Sequence, residues 1–133
     1  MLRALQIENY ALIRSLNIQF DRGFTVITGE TGAGKSILMG ALSLILGSRA
    51  ETDVLYDKSK KCIVEGTFNI ESLSLQDFFI QNDLDYQPQT IIRREINEHG
   101  KSRAFINDTP VTLPLLRELT SSLIDIHSQR QNL

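Results

Sequence analysis

Residues 24–47 read FTVITGETGAGKSILMGALSLILG, and this stretch decides the fold. Phe24, Val26 and Ile27 are nearly continuous apolar residues, the pattern of a strand buried on both faces. Ile37, Leu38, Ala41, Leu42 and Ile45 recur at helical spacing, and Gly47 is placed to stop that helix. Between strand and helix, Gly29-Glu30-Thr31-Gly32-Ala33-Gly34-Lys35-Ser36 fits G-x-x-x-x-G-K-[ST], the phosphate-binding P-loop pattern. The residue types suit a polyphosphate. Gly29, Gly32 and Gly34 let the backbone turn so that successive N–H groups point inward. The following helix adds unpaired N–H groups and the positive end of its dipole. Lys35 reaches the β- and γ-phosphates as a point charge, and the Ser36 hydroxyl is a ligand for Mg²⁺. Thr31 is either a donor to a phosphate oxygen or a structural loop residue. A glycine-rich turn that binds nothing is the competing reading, but a chain of this length matches the pattern by chance only roughly once in a few hundred cases.

The chain has 133 residues, enough for one domain with a real core and too few for two ordinary ones. It is 41% hydrophobic and 23% charged, a globular rather than a disordered balance. A formal net charge of −2 gives no general attraction to a polyanion, so any DNA contact has to be local. The single cysteine, Cys62, excludes an internal disulfide and reads as a buried thiol suited to a reducing compartment. Met1-Leu2-Arg3 leads directly into strand-like sequence rather than a signal peptide. The longest apolar stretch, Ile37 to Leu46, contains Gly40 and Ser43 and is too short to span a bilayer. These features predict a soluble, intracellular protein without a membrane partner.

Alternation predicts strands at Leu2–Glu8 and Ser15–Phe20, the latter with Leu16, Ile18 and Phe20 on one face. Asp21-Arg22-Gly23 is a turn into the central strand ending at Thr28, so an antiparallel layer precedes the P-loop. After Gly47 come a polar loop at Ser48–Glu51, a strand at Cys62–Ile70 and a short helix within Ser74–Asn82. Thr90–Ile96 and Ser102–Ile106 are β-rich runs joined by Asn97-Glu98-His99-Gly100, a hairpin signal. Asn107–Pro110 is a further turn. Thr112 then offers an N-cap for a helix to about Ser122, with Leu115, Leu116 and Leu119 inward and Arg117 and Glu118 outward. A brief apolar run, Leu123–Ile126, precedes a polar tail. The predicted class is α/β with a mixed sheet.

A P-loop hydrolase also needs an acidic strand end to hold Mg²⁺ and polarise the attacking water. Ser122–Ile126 (SLIDI) is the one candidate, but it is short, Asp125 is not at its end, and His127 rather than Glu follows. Asp125 reads better as an ordinary strand-end or turn aspartate. His127 has no metal-ligand partner, since His99 and Cys62 are not at ligand spacing, and it reads as structural. No Asn-Lys-x-Asp base-reading motif is present. The residues form a phosphate cradle without an obvious catalytic base.

Three stretches together resemble one family. LQIENYALIRSLNIQFDRGFTVITGETGAGKSILMGALSLILGSRA is similar to the start of the RecN family, bacterial DNA-repair ATPases related to the SMC and Rad50 proteins. Ile92–Val111 (IRREINEHGKSRAFINDTPV) is similar to that family's β-rich insertion. Leu123–Gln129 (LIDIHSQ) resembles its D-I-H-G-Q segment, departing at Ser128, where glycine is usual, and at Arg130, where histidine is common. The resemblance spans the chain and implies an ABC/SMC-type head, residues 1–133 being its N-terminal lobe. In that family a coiled coil and a C-terminal lobe follow, and the second lobe carries the signature motif and the Asp-Glu strand.

The resemblance further implies ATP and Mg²⁺ as cofactors and Gly29–Ser36 as the phosphate loop. Gln129 matches the Q-loop glutamine, which in related ATPases bears on the Mg²⁺ and the attacking water, with Gln131 as rival and a solvated tail as alternative. Arg49 matches an arginine linked to ATPase activation or DNA, or else complements the helix dipole. The implied partners are DNA, the second lobe and the opposite head of a dimer, in the cytoplasm at the nucleoid. Arg93, Arg94, Lys101 and Arg103 flank the hairpin and are candidate DNA contacts, although alternation sends Arg93 and Arg94 to opposite faces. A solvated hairpin face is the competing reading, and Asp83, Asp85, Glu95 and Glu98 limit any basic patch. Two other functions fit the P-loop alone: a small P-loop kinase, in which Asp125 would matter, and a non-catalytic nucleotide-binding interaction module.

Overall fold

The computed structural model describes residues 1–20, 32–50 and 52–131, with the backbone alone at 32, 33, 52 and 124–131. In chain order the elements are β1 (Leu2–Tyr10), β2 (Ile13–Gln19), α1 (Gly32–Ile45), β3 (Cys62–Asn69), α2 (Gln76–Gln81), β4 (Gln89–Ile96), β5 (Ser102–Ile106), β6 (Thr109–Val111) and α3 (Leu113–Gln131). The strands form one sheet in the order β2-β1-β3-β4-β5-β6. Every pairing among the described residues is antiparallel. The antiparallel layer expected ahead of the P-loop is therefore present as β1–β2. The strand expected at Phe24–Thr28, on which a mixed sheet would depend, lies outside the described residues, as does the turn at Asp21–Gly23.

The hairpins follow from local chemistry. Asn97 Oδ1 accepts the N–H groups of His99 and Lys101, each at 2.9 Å, which closes the β4–β5 connection. Asn107 and Asp108 both hold positive φ, 48° and 68°, the requirement of a two-residue type I′ turn. That turn is tight enough for the chain to re-enter the sheet at once, so Thr109–Val111 is a strand where a longer turn was expected. Pro110 is tolerated there because β6 is an edge strand.

One face of the sheet is the core. Cross-strand register aligns Ile7, Val64, Arg94 and Ala104 in one row and Leu5, Gly66, Ile92 and Ile106 in the next. Helix α1 packs on this face over β3 and β4, burying Ala41, Leu42, Leu44 and Ile45. Gly66 admits it. A Cβ at that position would lie 2.5 Å from Ile45 Cδ1. Fully burying one such aliphatic side chain contributes about 1.5–3 kcal/mol.

Helix α3 starts as expected, with Thr112 Oγ1 accepting the Leu115 N–H at 3.3 Å, and packs beside β5. It does not stop near Ser122. Past Pro114, which the first turn tolerates, no Gly or Pro interrupts the sequence to Gln131. Leu116, Leu119 and Leu123 continue the buried helical stripe. The SLIDI segment is therefore helical, and Asp125 is neither a strand-end nor a turn residue. A four-residue apolar run cannot by itself distinguish strand from helix, and here the helical period won.

Candidate functional site

The first turn of α1 begins at Gly32. Gly34, Lys35 and Ser36 are all exposed there, and no acidic residue stands in that turn. A cation, a hydroxyl and the positive end of a helix dipole thus face solvent together, uncancelled by a carboxylate of their own turn. This donor set fits an anionic phosphate, and the Ser36 hydroxyl fits a hard divalent cation. Gly29, Glu30 and Thr31 lie outside the described residues, and of Gly32 and Ala33 only the backbone is described. The backbone at Asp125, His127 and Gln129 is helical, and their side chains lie outside the described residues.

The opposite end of α1 is closed. Ser48 N–H bonds to Ser43 O at 3.0 Å and Gly47 N–H to Leu44 O at 3.2 Å, a Schellman pair around Gly47 at φ +107°. Gly47 is the stop that its position in the sequence predicts. Side chains from elsewhere take further carbonyls at this end. Arg117 Nε donates to Gly47 O at 2.8 Å, and Thr120 Oγ1 to Leu46 O at 2.8 Å. Arg94 donates through Nη1 to Leu44 O and Ser48 O, both at 2.7 Å, and through Nη2 to Ser102 Oγ at 3.1 Å.

Arg94 is 0% exposed, which removes it from the candidate DNA contacts. A guanidinium under α1 cannot reach a phosphodiester backbone. Alternation puts Arg94 on the face of Ile92 and Ile96, and α1 covers that face. Arg93 takes the other face, as alternation predicts. There it pairs with Asp108 at 2.7 Å, Glu95 at 3.1 Å and Glu65 at 3.7 Å. It also lies 4.3 Å above the Phe105 ring. Asp108 first, and then Glu95, push the Arg93 guanidinium above its ordinary value against the opposing effect of burial. Arg93 is thus committed to carboxylates of its own chain. Lys101, Arg103 and Arg49 are exposed and do not form one patch with Arg94.

One organising residue carried no clear sequence signal. Asn9, at φ 57°, accepts the Asp57 N–H at 2.6 Å. Its Nδ2 group donates to Asp57 O and Lys60 O at 3.0 and 2.9 Å. It pins the loop between α1 and β3 to the end of β1. Only its tolerance of left-handed backbone hinted at the role.

Comparison with known proteins places this arrangement. A family described as AAA domain matches residues 4–132. The chain belongs to this family. It is 42% identical over 97% of its length to the DNA repair protein RecN of Haemophilus influenzae. It is 40% identical over 99% of its length to RecN of Bacillus subtilis. Both matches cover about a quarter of the relative, 24% and 23%. The RecN resemblance is therefore shown, and the chain spans only about a quarter of those proteins' length.

Solved structures show the same fold. One, described under ATP-driven dimerization and DNA stimulated activation of SMC ATPases, superposes with a TM-score of 0.72 at 21% identity, covering 92% of this chain and 79% of that one. A second, the recombination mediator RecF with ATPγS, gives 0.62 at 14% identity, covering 87% of this chain and 29% of that one. The fold is that of the SMC and RecF heads.

Proposed function

We propose that this chain is the ATP-binding N-terminal lobe of a RecN-like head acting in DNA double-strand-break repair and recombination. The carrying observation is the first turn of α1, which presents Lys35 and Ser36 to solvent with no carboxylate in that turn. The family and the head fold agree with it. Gly29–Ser36 hold the phosphates, Lys35 neutralises their charge, and Ser36 together with Gln129 holds Mg²⁺. Arg49 and Arg103 are the arginines available for activation or DNA contact. When bound, ATP supplies the energy of head engagement in the complete, cytoplasmic and nucleoid-associated protein. There the second lobe and an opposite head complete the site.

Asp125 lies within a helix and not at a strand end, so the P-loop kinase reading loses its candidate acid. The RecN resemblance puts the water-polarising acidic strand in the second lobe. The chain alone therefore binds ATP with Mg²⁺ but turns it over negligibly. Calorimetric titration with ATP, with and without Mg²⁺, beside a phosphate-release assay, tests both points. Absence of binding removes the reading. Rapid turnover that disappears in Lys35→Ala removes the claim that half of the site is missing.

A further inference from the structure

Arg94 is the largest fully buried side chain among the described residues, and it donates there to two backbone carbonyls and a hydroxyl rather than to a carboxylate. Its Nε–H is buried without a hydrogen-bond acceptor among the described residues. Burial, and then the charge of Arg117, push its guanidinium below the ordinary value. For stability alone, such a side chain is a poor choice, because an apolar residue of similar volume avoids the desolvation cost. What an apolar residue cannot do is hold direction. The planar fork of Arg94 fixes Leu44 O and Ser48 O on the helix end and Ser102 Oγ on β5, while its own backbone is locked in β4. The negative end of the α1 dipole is the counter-charge that makes the burial tolerable.

Helix α1 has 14 residues and is a rod about 21 Å long. A pivot of about 3° at one end displaces the other by about 1 Å, enough to spoil hydrogen bonds to a phosphate. Accepting the nucleotide reading above, we propose that Arg94 is a positioning residue for the phosphate loop. By locking the C-terminal end of α1 to β4 and β5, it sets where Lys35 and Ser36 are held at the other end. The role is remote and mechanical, and Arg94 itself touches no nucleotide.

The test compares the unmutated chain with Arg94→Met, Arg94→Lys and Ser102→Ala. Phe79→Leu serves as a core control on α2, away from α1. Two readouts are taken: affinity for a fluorescent ATP analogue with Mg²⁺, and amide hydrogen exchange along residues 34–48. The expected result is at least five-fold weaker nucleotide binding in Arg94→Met, partial rescue by Arg94→Lys, and about two-fold weakening in Ser102→Ala. Exchange along α1 should accelerate in the same order, while Phe79→Leu leaves both readouts unchanged at comparable loss of thermal stability. If Arg94→Met does not fold, Arg94→Lys and Ser102→Ala carry the test. Nucleotide affinity or α1 exchange that follows stability alone, equally in Phe79→Leu, overturns the proposal. If the unmutated chain binds no nucleotide, the functional reading falls, and the exchange data still decide whether Arg94 fixes α1.

Discussion

The two ends of α1 are built on opposite plans. At its first turn the helix presents Lys35 and Ser36 to solvent. At its last turn the carbonyls of Leu44, Leu46, Gly47 and Ser48 are all taken by side chains of β4 and α3. A helix leaves unpaired groups at both ends, so the difference is a choice of who satisfies them. The C-terminal groups are satisfied within the chain and contribute to stability. At the N-terminal turn Gly34, Lys35 and Ser36 are exposed, where a ligand can reach them. Substitutions at the open end should therefore change binding and leave stability alone, whereas those at the closed end should change stability first.

The largest effect should come from the closed end. Gly47→Ala forces a Cβ into a φ of +107° and to within 2.5 Å of Arg117 Cγ. It should cost about 3 kcal/mol, read as a lowered urea midpoint with unchanged slope. A loss below about 1 kcal/mol would mean the Schellman turn can reform another way. At the open end, Lys35→Ala should weaken ATP binding by roughly 30-fold or more, a loss of about 2 kcal/mol. Its unfolding free energy should stay within about 0.5 kcal/mol of the unmutated chain. A large stability change there would erase the contrast between the ends.

Thr120→Val keeps the shape and deletes the hydroxyl that donates to Leu46 O. It should destabilise by about 1–2 kcal/mol by leaving that carbonyl unpaired; a neutral outcome would show that the Thr120 hydroxyl does not cap α1. Cys62 sharpens the comparison by pH. Burial pushes its thiol up to about 12 from 9.0. The folded chain keeps the neutral form while the unfolded chain ionises near pH 9, so stability is intact below that pH and falls as pH rises from 9 to 12. At pH 10 the loss should be about 1 kcal/mol greater than in Cys62→Ala. Parallel pH curves for the two would show that the thiol is not buried. The smallest effect is expected from Arg103→Ala, an exposed change worth no more than about 0.5 kcal/mol in stability. It tests the DNA candidate set: an unchanged salt dependence of DNA binding would remove Arg103 from it as burial has removed Arg94.

Local chemistry made much of this molecule legible in advance. Alternation located β3, β4 and β5 to within a residue or two, because a sheet with one buried face must alternate. Gly47 and Thr112 marked helix ends through backbone freedom and side-chain capping, both of which act within a few residues. Lys35 and Ser36 stand exposed in the first turn of α1, where the helix predicted after the glycine-rich loop begins. The misses share a cause. Whether Leu123–Ile126 became strand or helix depended on what lay beside it, and Leu116, Leu119 and Leu123 settled it by packing. Asn107–Pro110 hid a strand because β5 was waiting for a partner.

The sequence by itself determined the P-loop pattern, most of the strands and helices, and the family, since each rests on neighbours along the chain. Only the tertiary structure decided the role of the arginines. Arg93 and Arg94 are adjacent, with the same charge. The pleat turned one toward Asp108, Glu95 and Glu65, and the other under the end of α1. Which face was the core depended on where α1 came to rest, and that contact joins residues some 50 positions apart. Long-range packing, not local preference, made Arg94 the anchor of the helix that begins at the phosphate loop.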